Sequence, residues 1–546
     1  LINRLTPADL ALPPKFQAFH PQQLEALDYI SRSKKKYIFL QAPTGFGKTV
    51  LATAWQRMAK MRMLYACTTK QLQAQFSDDF STDLHGDTYA VELKGRSNYP
   101  TLLHPHQFPR INASMCTAKK EKHCRWCCDG KEGTPCEQKI PDTCECPYKL
   151  QKRQAIGAEV AVINTALFLN EANHVGELSG WPLICFDECD QLEAALLSYV
   201  SVEITANWVK RLGIEPPQYV TKEESWIDWA ENQAMPSITA QLEALASAYG
   251  VEDLKREKEL ERMLGKLDFF TREYKATKWV FLPNETKWEF KPVFVSRYGE
   301  EHLWKHADRF LLMSATIISA QEMAFSLGIP KEEVDFLDLP STFDSKRRPV
   351  YYWPRANLTK KTEDVDIPKA VIALDKVLDH YPGGKTLVHT VSYTLAKYIL
   401  TKSRHHQRMI TYITAAERVS ALEEFRQAKP GAVMVAASMD RGIDLPFDQC
   451  TLIVLTKVPY LNLGDKQVAA RLYSNKKGGP VWYAVNTIRT IVQMCGRGMR
   501  SKDDRCTTII LDQQFARLYK QYTNLFPRWW RDALHRIHEL DEIKED

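Results

Sequence analysis

The stretch YIFLQAPTGFGKTV, residues 37–50, constrains the architecture of this chain more than any other. A short apolar run, Tyr37 to Leu40, gives way to a loop holding Gly45 and Gly47, and a segment of helical period follows from Val50 to Met61. Strand, glycine loop and helix in that order describe a phosphate-binding P-loop. Its spacing is A-x4-G-K-T, with Ala42 where a glycine usually stands. The glycines let backbone N–H groups turn toward phosphate oxygens with no Cβ in the way. Thr44, Gly45, Phe46 and Gly47 make the cradle. Lys48 then reaches the β- and γ-phosphates of ATP, and the Thr49 hydroxyl is placed to ligate Mg²⁺.

A P-loop needs a second anchor for that metal at the end of a neighbouring buried strand. LICFDECD, residues 183–190, supplies it: Asp187 for the metal and Glu188 to polarise the attacking water. Other short apolar runs read as buried parallel strands: Phe310 to Met313, Thr386 to Val391, Ala432 to Ala437, Thr451 to Leu455 and Thr507 to Leu511. Helical segments such as Thr394 to Ser403 lie between them, so the expected class is α/β with ligands at the carboxyl ends of strands. At 546 residues the chain is too long for one core. No apolar run reaches the roughly 18 residues of a membrane span. The first residues, LINRLTPADLALPPKF, lack the apolar centre of a signal peptide, and the expected compartment is the cytoplasm. A net charge of +6 permits a nucleic-acid partner without requiring one.

Two regions break the strand–helix rhythm. Residues 192–300 read as largely helical, with Leu254, Leu260, Met263, Leu264 and Leu267 forming an apolar packing stripe. LTKKTEDVDIPKA, residues 358–370, reads as a solvated connection. Residues 95–150 hold seven cysteines between Cys116 and Cys146, six of them in CRWCCDGKEGTPCEQKIPDTCECPY. A disulfide framework is out of place in a reducing compartment. Zinc and an iron–sulfur cluster both take four ligands of this kind, and Cys124, Cys127, Cys144 and Cys146 are spaced to suit zinc.

Further motifs narrow the reading. FHPQQLEAL resembles an adenine-recognition motif with Gln23 in the glutamine place, and YACTTKQLQAQF resembles motif Ia, whose Thr68, Gln71 and Gln75 would touch a nucleic-acid backbone. LLMSAT resembles motif III and SMDRGIDLP motif V, with Asp444 on the nucleotide side. QMCGRGMRSKDD resembles motif VI, with Gln493 at its head and Arg497 and Arg500 in the arginine-finger places. In order, these are similar to superfamily 2 helicases. Cysteines between motifs Ia and II, with a helical insertion between II and III, resemble the XPD/DinG branch. LKGRSNY and CPYKLQKRQA look like the flanks of that branch's cluster domain.

The resemblance implies two RecA-like lobes, with lobe 1 at residues 1–94, 151–191 and 301–325 and lobe 2 at 326–546. An iron–sulfur insertion occupies 95–150 and a helical arch 192–300. It implies a [4Fe–4S] cluster on Cys116, Cys124, Cys127 and Cys146, with Cys128 and Cys136 as substitutes, Cys144 spare and zinc as the alternative. It also implies an ATP-dependent helicase moving 5′→3′ on single-stranded and forked DNA as a monomer, with RNA as another possible track. Two other functions fit: a nucleic-acid-stimulated ATPase that translocates without unwinding, and a metal-containing DNA-structure binder switched by ATP. The residues depart from the family in two places. Pro100-Thr101 stands where a first cluster cysteine is common, and Asp190 replaces a histidine that links ATP state to motif III.

Overall fold

The structure is a computed structural model that describes residues 4–100, 112–115, 146–174, 176, 178–245, 251–414, 417–437, 445, 447–474, 477–499 and 503–543. Among the cysteines expected to hold a cluster, Cys116, Cys124 and Cys127 lie outside those residues, as do Cys128, Cys136 and Cys144.

Lobe 1 is built on strands β1 (Tyr37–Gln41), β2 (Met63–Cys67), β3 (Ala90–Glu92), β4 (Val160–Asn164) and β5 (Trp181–Asp187). The insertion after β5 carries β6 (Val202–Thr205), β7 (Trp279–Pro283) and β8 (Lys287–Pro292), and the lobe resumes with β9 (Ala307–Ser314) and β10 (Val334–Asp338). The lobe 1 strands form one seven-stranded sheet in the order β10-β1-β9-β5-β2-β4-β3, parallel throughout. β1 is buried on both faces. Tyr37 and Phe39 enter one core while Ile38 and Leu40 enter the other, which is why the run is uniformly apolar and does not alternate. Each such fully buried side chain contributes about 1.5–3 kcal/mol.

Lobe 2 carries β11 (Val350–Ala356), β12 (Thr386–His389), β13 (Met409–Thr411), β14 (Val433–Ala436), β15 (Leu452–Leu455), β16 (Thr507–Asp512) and β17 (Leu534–Arg536). They make a second parallel sheet in the order β13-β14-β12-β15-β16-β11-β17, again with a core on each face. The α/β expectation therefore holds as two seven-stranded parallel sheets.

The structure departs from the sequence reading in three places. The first sheet continues to β10, past the expected lobe boundary at residue 325, because β10 pairs with β1 from Tyr37↔Val334 to Gln41↔Asp338. The insertion is not purely helical: β6, β8 and β7 form an antiparallel sheet with Val202 opposite Phe290. Its signal was the alternation KWEFKP, where Trp288, Phe290 and Pro292 face inward and the charged residues between them face out. Helix Val251–Tyr274 packs on this sheet, with the Phe270 and Phe290 rings 4.5 Å apart. Finally, the stretch expected as a solvated connection enters helix Glu363–His380. Its polar start hides the apolar face that begins at Ile367 and runs through Ala370, Leu374 and Val377, all buried.

Candidate active site

At the carboxyl end of β1 the chain makes two left-handed turns, at Gly45 (φ 78°) and Gly47 (φ 84°), before helix Lys48–Ala59 begins. At Gly47 a Cβ would stand 2.6 Å from Gln23 Nε2 and displace it, and the left-handed backbone there is strained for any residue with a Cβ. Gln23 is buried and donates from Nε2 to the Phe46 carbonyl at 2.8 Å, while its Oε1 accepts from the His20 backbone N–H at 3.1 Å. His20 caps helix Pro21–Arg32 and sets its ring edge-on to Phe46. The residue expected to read adenine thus also holds the P-loop in shape. Lys48 and Thr49 open the helix, and the Thr49 Oγ1 lies 3.5 Å from the Tyr65 hydroxyl.

Tyr65, on β2, is the link between the two metal anchors. Its phenol meets Thr49 on one side and the Asp187 carboxylate on the other. Burial, and then the Asp187 charge, push the phenol well above its ordinary pKa, so it stays a neutral donor. In the sequence Tyr65 stood only as the first residue of the motif Ia stretch YACTTKQLQAQF, with nothing to mark its phenol. Thr49 and Asp187 converge on one hydroxyl, which suits a shared Mg²⁺; such an ion would neutralise phosphate charge.

Asp187 ends β5 and accepts the Glu188 backbone N–H at 3.0 Å. Glu188 then adopts a left-handed conformation (φ 50°), uncommon for a residue with a Cβ and costly unless its surroundings enforce it. That turn swings Asp190 beneath β9. There, Ser314 Oγ donates to Asp190 Oδ1 at 2.8 Å and accepts the Thr316 N–H at 3.1 Å.

Lobe 2 reaches the same carboxylate. From helix Gly478–Cys495, Gln493 Nε2 donates to Asp190 Oδ2 at 3.0 Å and to Thr316 Oγ1 at 2.8 Å. One turn earlier on that helix, Arg489 donates from Nε to the Thr316 carbonyl at 3.0 Å, with the same nitrogen 3.8 Å from Asp190 Oδ2. Gln493, expected at the nucleotide, is here a latch between lobes. Arg489 was missed by the sequence reading. Its signal was a charge in the otherwise apolar run TIRTIV, four residues before Gln493 and so on the same helical face.

The remaining expected residues fall as follows. Arg497 follows the end of that helix, close enough to His389 on β12 that its charge is felt by the ring. Arg500 and Asp444 lie outside the described residues. Thr68 precedes helix Lys70–Phe80, on which Gln71 and Gln75 are exposed on one face. Cys146 is buried at the N-cap of helix Pro147–Gly157, where its sulfur sits at the foot of the cysteine-rich segment and is of a type that a metal or cluster takes as ligand. Next to it Tyr148 donates to Glu171 at 2.8 Å and Lys152 pairs with the same carboxylate at 2.7 Å, fastening the foot of the cysteine-rich segment to lobe 1.

A helicase C-terminal domain family matches residues 374–533. The ATP-dependent DNA helicase YoaA of Escherichia coli is 21% identical over 591 aligned residues, with 92% of each chain covered. The probable ATP-dependent helicase MJ0942 of Methanocaldococcus jannaschii is 22% identical, with 88% of this chain and 89% of that one covered. Among solved structures, an XPD helicase superposes over 95% of this chain and 99% of its own, with a TM-score of 0.63 at 16% identity. Over most of its length the chain is similar to helicases of the XPD/DinG type. In this chain the stretch LICFDECD of lobe 1 and the stretch QMCGRGMR of lobe 2 meet at Asp190, through Gln493.

Proposed function

We propose that this chain is an ATP-driven DNA helicase that moves 5′→3′ along a single strand and parts duplexes ahead of it. Lys48 and the P-loop amides hold the phosphates, and Glu188 takes a proton from the water that attacks the γ-phosphorus as ADP departs. Arg497 and Arg500 supply charge to the phosphoryl group from lobe 2, and Asp444 lies on the nucleotide side of the cleft. Thr68, Gln71 and Gln75 grip the backbone of the strand. Cys146, with Cys116, Cys124 and Cys127, holds a [4Fe–4S] cluster, which would brace the wedge between strands.

The observation that supports coupling of hydrolysis to movement is the Asp190 latch. A residue three positions from Asp187 is held at once by Ser314 of lobe 1 and by Gln493 of lobe 2. Any shift of Glu188 and Asp187 during hydrolysis is therefore felt across the lobe interface, which is the closure mechanism such motors need. The test is strand separation on duplexes with a single 5′ or 3′ tail, with ATP and without. Opening of the 5′-tailed duplex alone, dependent on ATP and lost in Glu188→Gln, is the expected result. A 3′ preference would overturn the polarity, and DNA-stimulated hydrolysis without strand separation would make the chain a translocase.

A further inference from the structure

The insertion contains a cavity of about 580 Å³ that belongs to neither the P-loop nor the lobe interface. Its walls are helices Leu192–Val200, Ala206–Leu212 and Val251–Tyr274, with strands β6 and β8. The floor is apolar, made by Leu197, Ile204, Trp208 and Leu267, while Ser198 and Asn207 add polar groups. Such a volume lies in the range of small-molecule pockets, roughly 300–1,000 Å³.

The charges around the cavity are unevenly matched. Glu259 is taken by Arg211 and by Arg256 at 3.5 Å. Glu289 is held by Lys287 at 2.7 Å and Lys291 at 3.3 Å, and Lys287 also reaches Glu203 at 3.4 Å. All three lining carboxylates are thus in ion pairs. Arg262 and Lys266, one turn apart on helix Val251–Tyr274, have no ion pair among the described residues. Like charges at this spacing repel, and a folded chain gains nothing from setting them side by side. Desolvation in the cavity, followed by the Arg262 charge, lowers the Lys266 ammonium from its usual pKa, with Glu203 acting weakly the other way. Both side chains are nonetheless exposed to solvent, so the pair is open to an anion that arrives from outside.

We propose that this cavity binds a phosphate-bearing ligand of nucleotide size, with phosphate oxygens on Arg262 and Lys266 and a flat apolar body over the floor near Trp208. A pair of cations one helical turn apart can share one phosphate group, each through charge-assisted hydrogen bonds. The phosphate can belong to a free nucleotide or to a nucleic-acid strand. Both are within reach of the geometry, since the same helix also touches the edge of the cysteine-rich segment, where Lys258 donates to the Ser114 carbonyl. The wall helix Leu192–Val200 starts two residues after Asp190, so a ligand here leans on the element that leaves motif II.

The test uses the full chain and calorimetric titration with three probes: inorganic pyrophosphate, thymidine 5′-monophosphate and oligothymidylate. Each is measured against wild type, Lys48→Ala, and Arg262→Gln/Lys266→Gln. The expected result is saturable binding of at least one probe that Lys48→Ala leaves unchanged and that the double variant weakens by about tenfold or more. Both substituted side chains are exposed, and an unchanged melting temperature verifies that the double variant is folded. Binding of the mononucleotide assigns the site to free nucleotides, whereas binding of the oligonucleotide alone assigns it to strand phosphate. Equal affinity in the double variant, loss of all binding in Lys48→Ala, or no binding of any probe overturns the proposal.

Discussion

At Asp190 a carboxylate is buried with none of its side-chain surface exposed, against Arg489 with 8%. Removing one partner from such a pair strands the other charge, at about 3–5 kcal/mol. Arg489→Met is therefore expected to destabilise the chain by about 3 kcal/mol, and Asp190→Asn in the same molecule to recover part of that. Chemical denaturation of the two single variants and the double variant gives the coupling directly, and strictly additive losses would deny the pairing. His389 makes a different point. It is fully buried, and neither ring nitrogen has a hydrogen-bond partner among the described residues. Burial, and then the Arg497 charge, lower its pKa from 6.5 to about 3. In the folded chain the ring is neutral, whereas the unfolded chain takes up a proton below about pH 6.5. Its contribution is fully present above that pH and fades as the pH falls toward 3, by up to about 4 kcal/mol. His389→Leu should flatten the melting temperature between pH 6.5 and 4 relative to wild type. Parallel pH profiles for the two proteins would show that the ring is protonated in the fold.

Single elements show what the sequence could and could not convey. The P-loop strand, turn and helix were legible because glycine spacing and a wholly apolar run leave few alternatives. β5 and β9 were found for the same reason. β6, β7 and β8 were missed because each is short and half exposed, and in a helix-rich neighbourhood their alternation was outvoted by Leu254, Leu260 and Leu267. The Asp190 latch was hidden for another cause: it joins residues some 300 positions apart, and neither periodicity nor spacing carries that information. The motif VI turn combines both cases. Gly498 was visible in the motif, but only the fold shows that a Cβ there would lie 2.4 Å from Cys506 Sγ and 2.6 Å from the Cys450 carbonyl. Gly498→Ala must push the turn off β15 and β16, at about 1–3 kcal/mol, and Arg497 moves with it. Turnover should fall by more than the stability loss explains, measured at a temperature where the variant is fully folded. A variant with reduced stability and normal turnover would separate Arg497 from the chemistry.

Over the whole molecule, each sheet has its own pair of cores, and the lobes are joined by Ile318 of lobe 1, which packs into a lobe 2 core, and by a set of polar side chains. Among the polar ones is Arg471 on helix Lys466–Ser474, 2% exposed in its side chain, which reaches from lobe 2 to Ser326 at 2.7 Å, Glu193 at 3.2 Å and Glu322 at 3.6 Å. Trp482 donates to the same Glu193 at 3.1 Å. Arg471→Met removes that strut without touching either core, so the expected calorimetric trace is two separated unfolding transitions in place of one. A single sharp transition at the wild-type temperature would place the inter-lobe bond elsewhere. The sheet order of lobe 1 also sets a timetable for synthesis. β1 lies between β9 and β10, whose pairing residues begin at Phe310 and Val334, some 270 and 300 positions later in the chain. While the ribosome is working, the strand that leads into the ATP site emerges first and gains its neighbours last. Until Ser314 has left the exit tunnel, YIFLQ is an unpaired apolar segment, and until Asp338 follows it is the open edge of an unfinished sheet, the kind of edge that other chains can capture. A nascent chain stalled before residue 307 would therefore hold every P-loop residue on a strand that has neither of its neighbours.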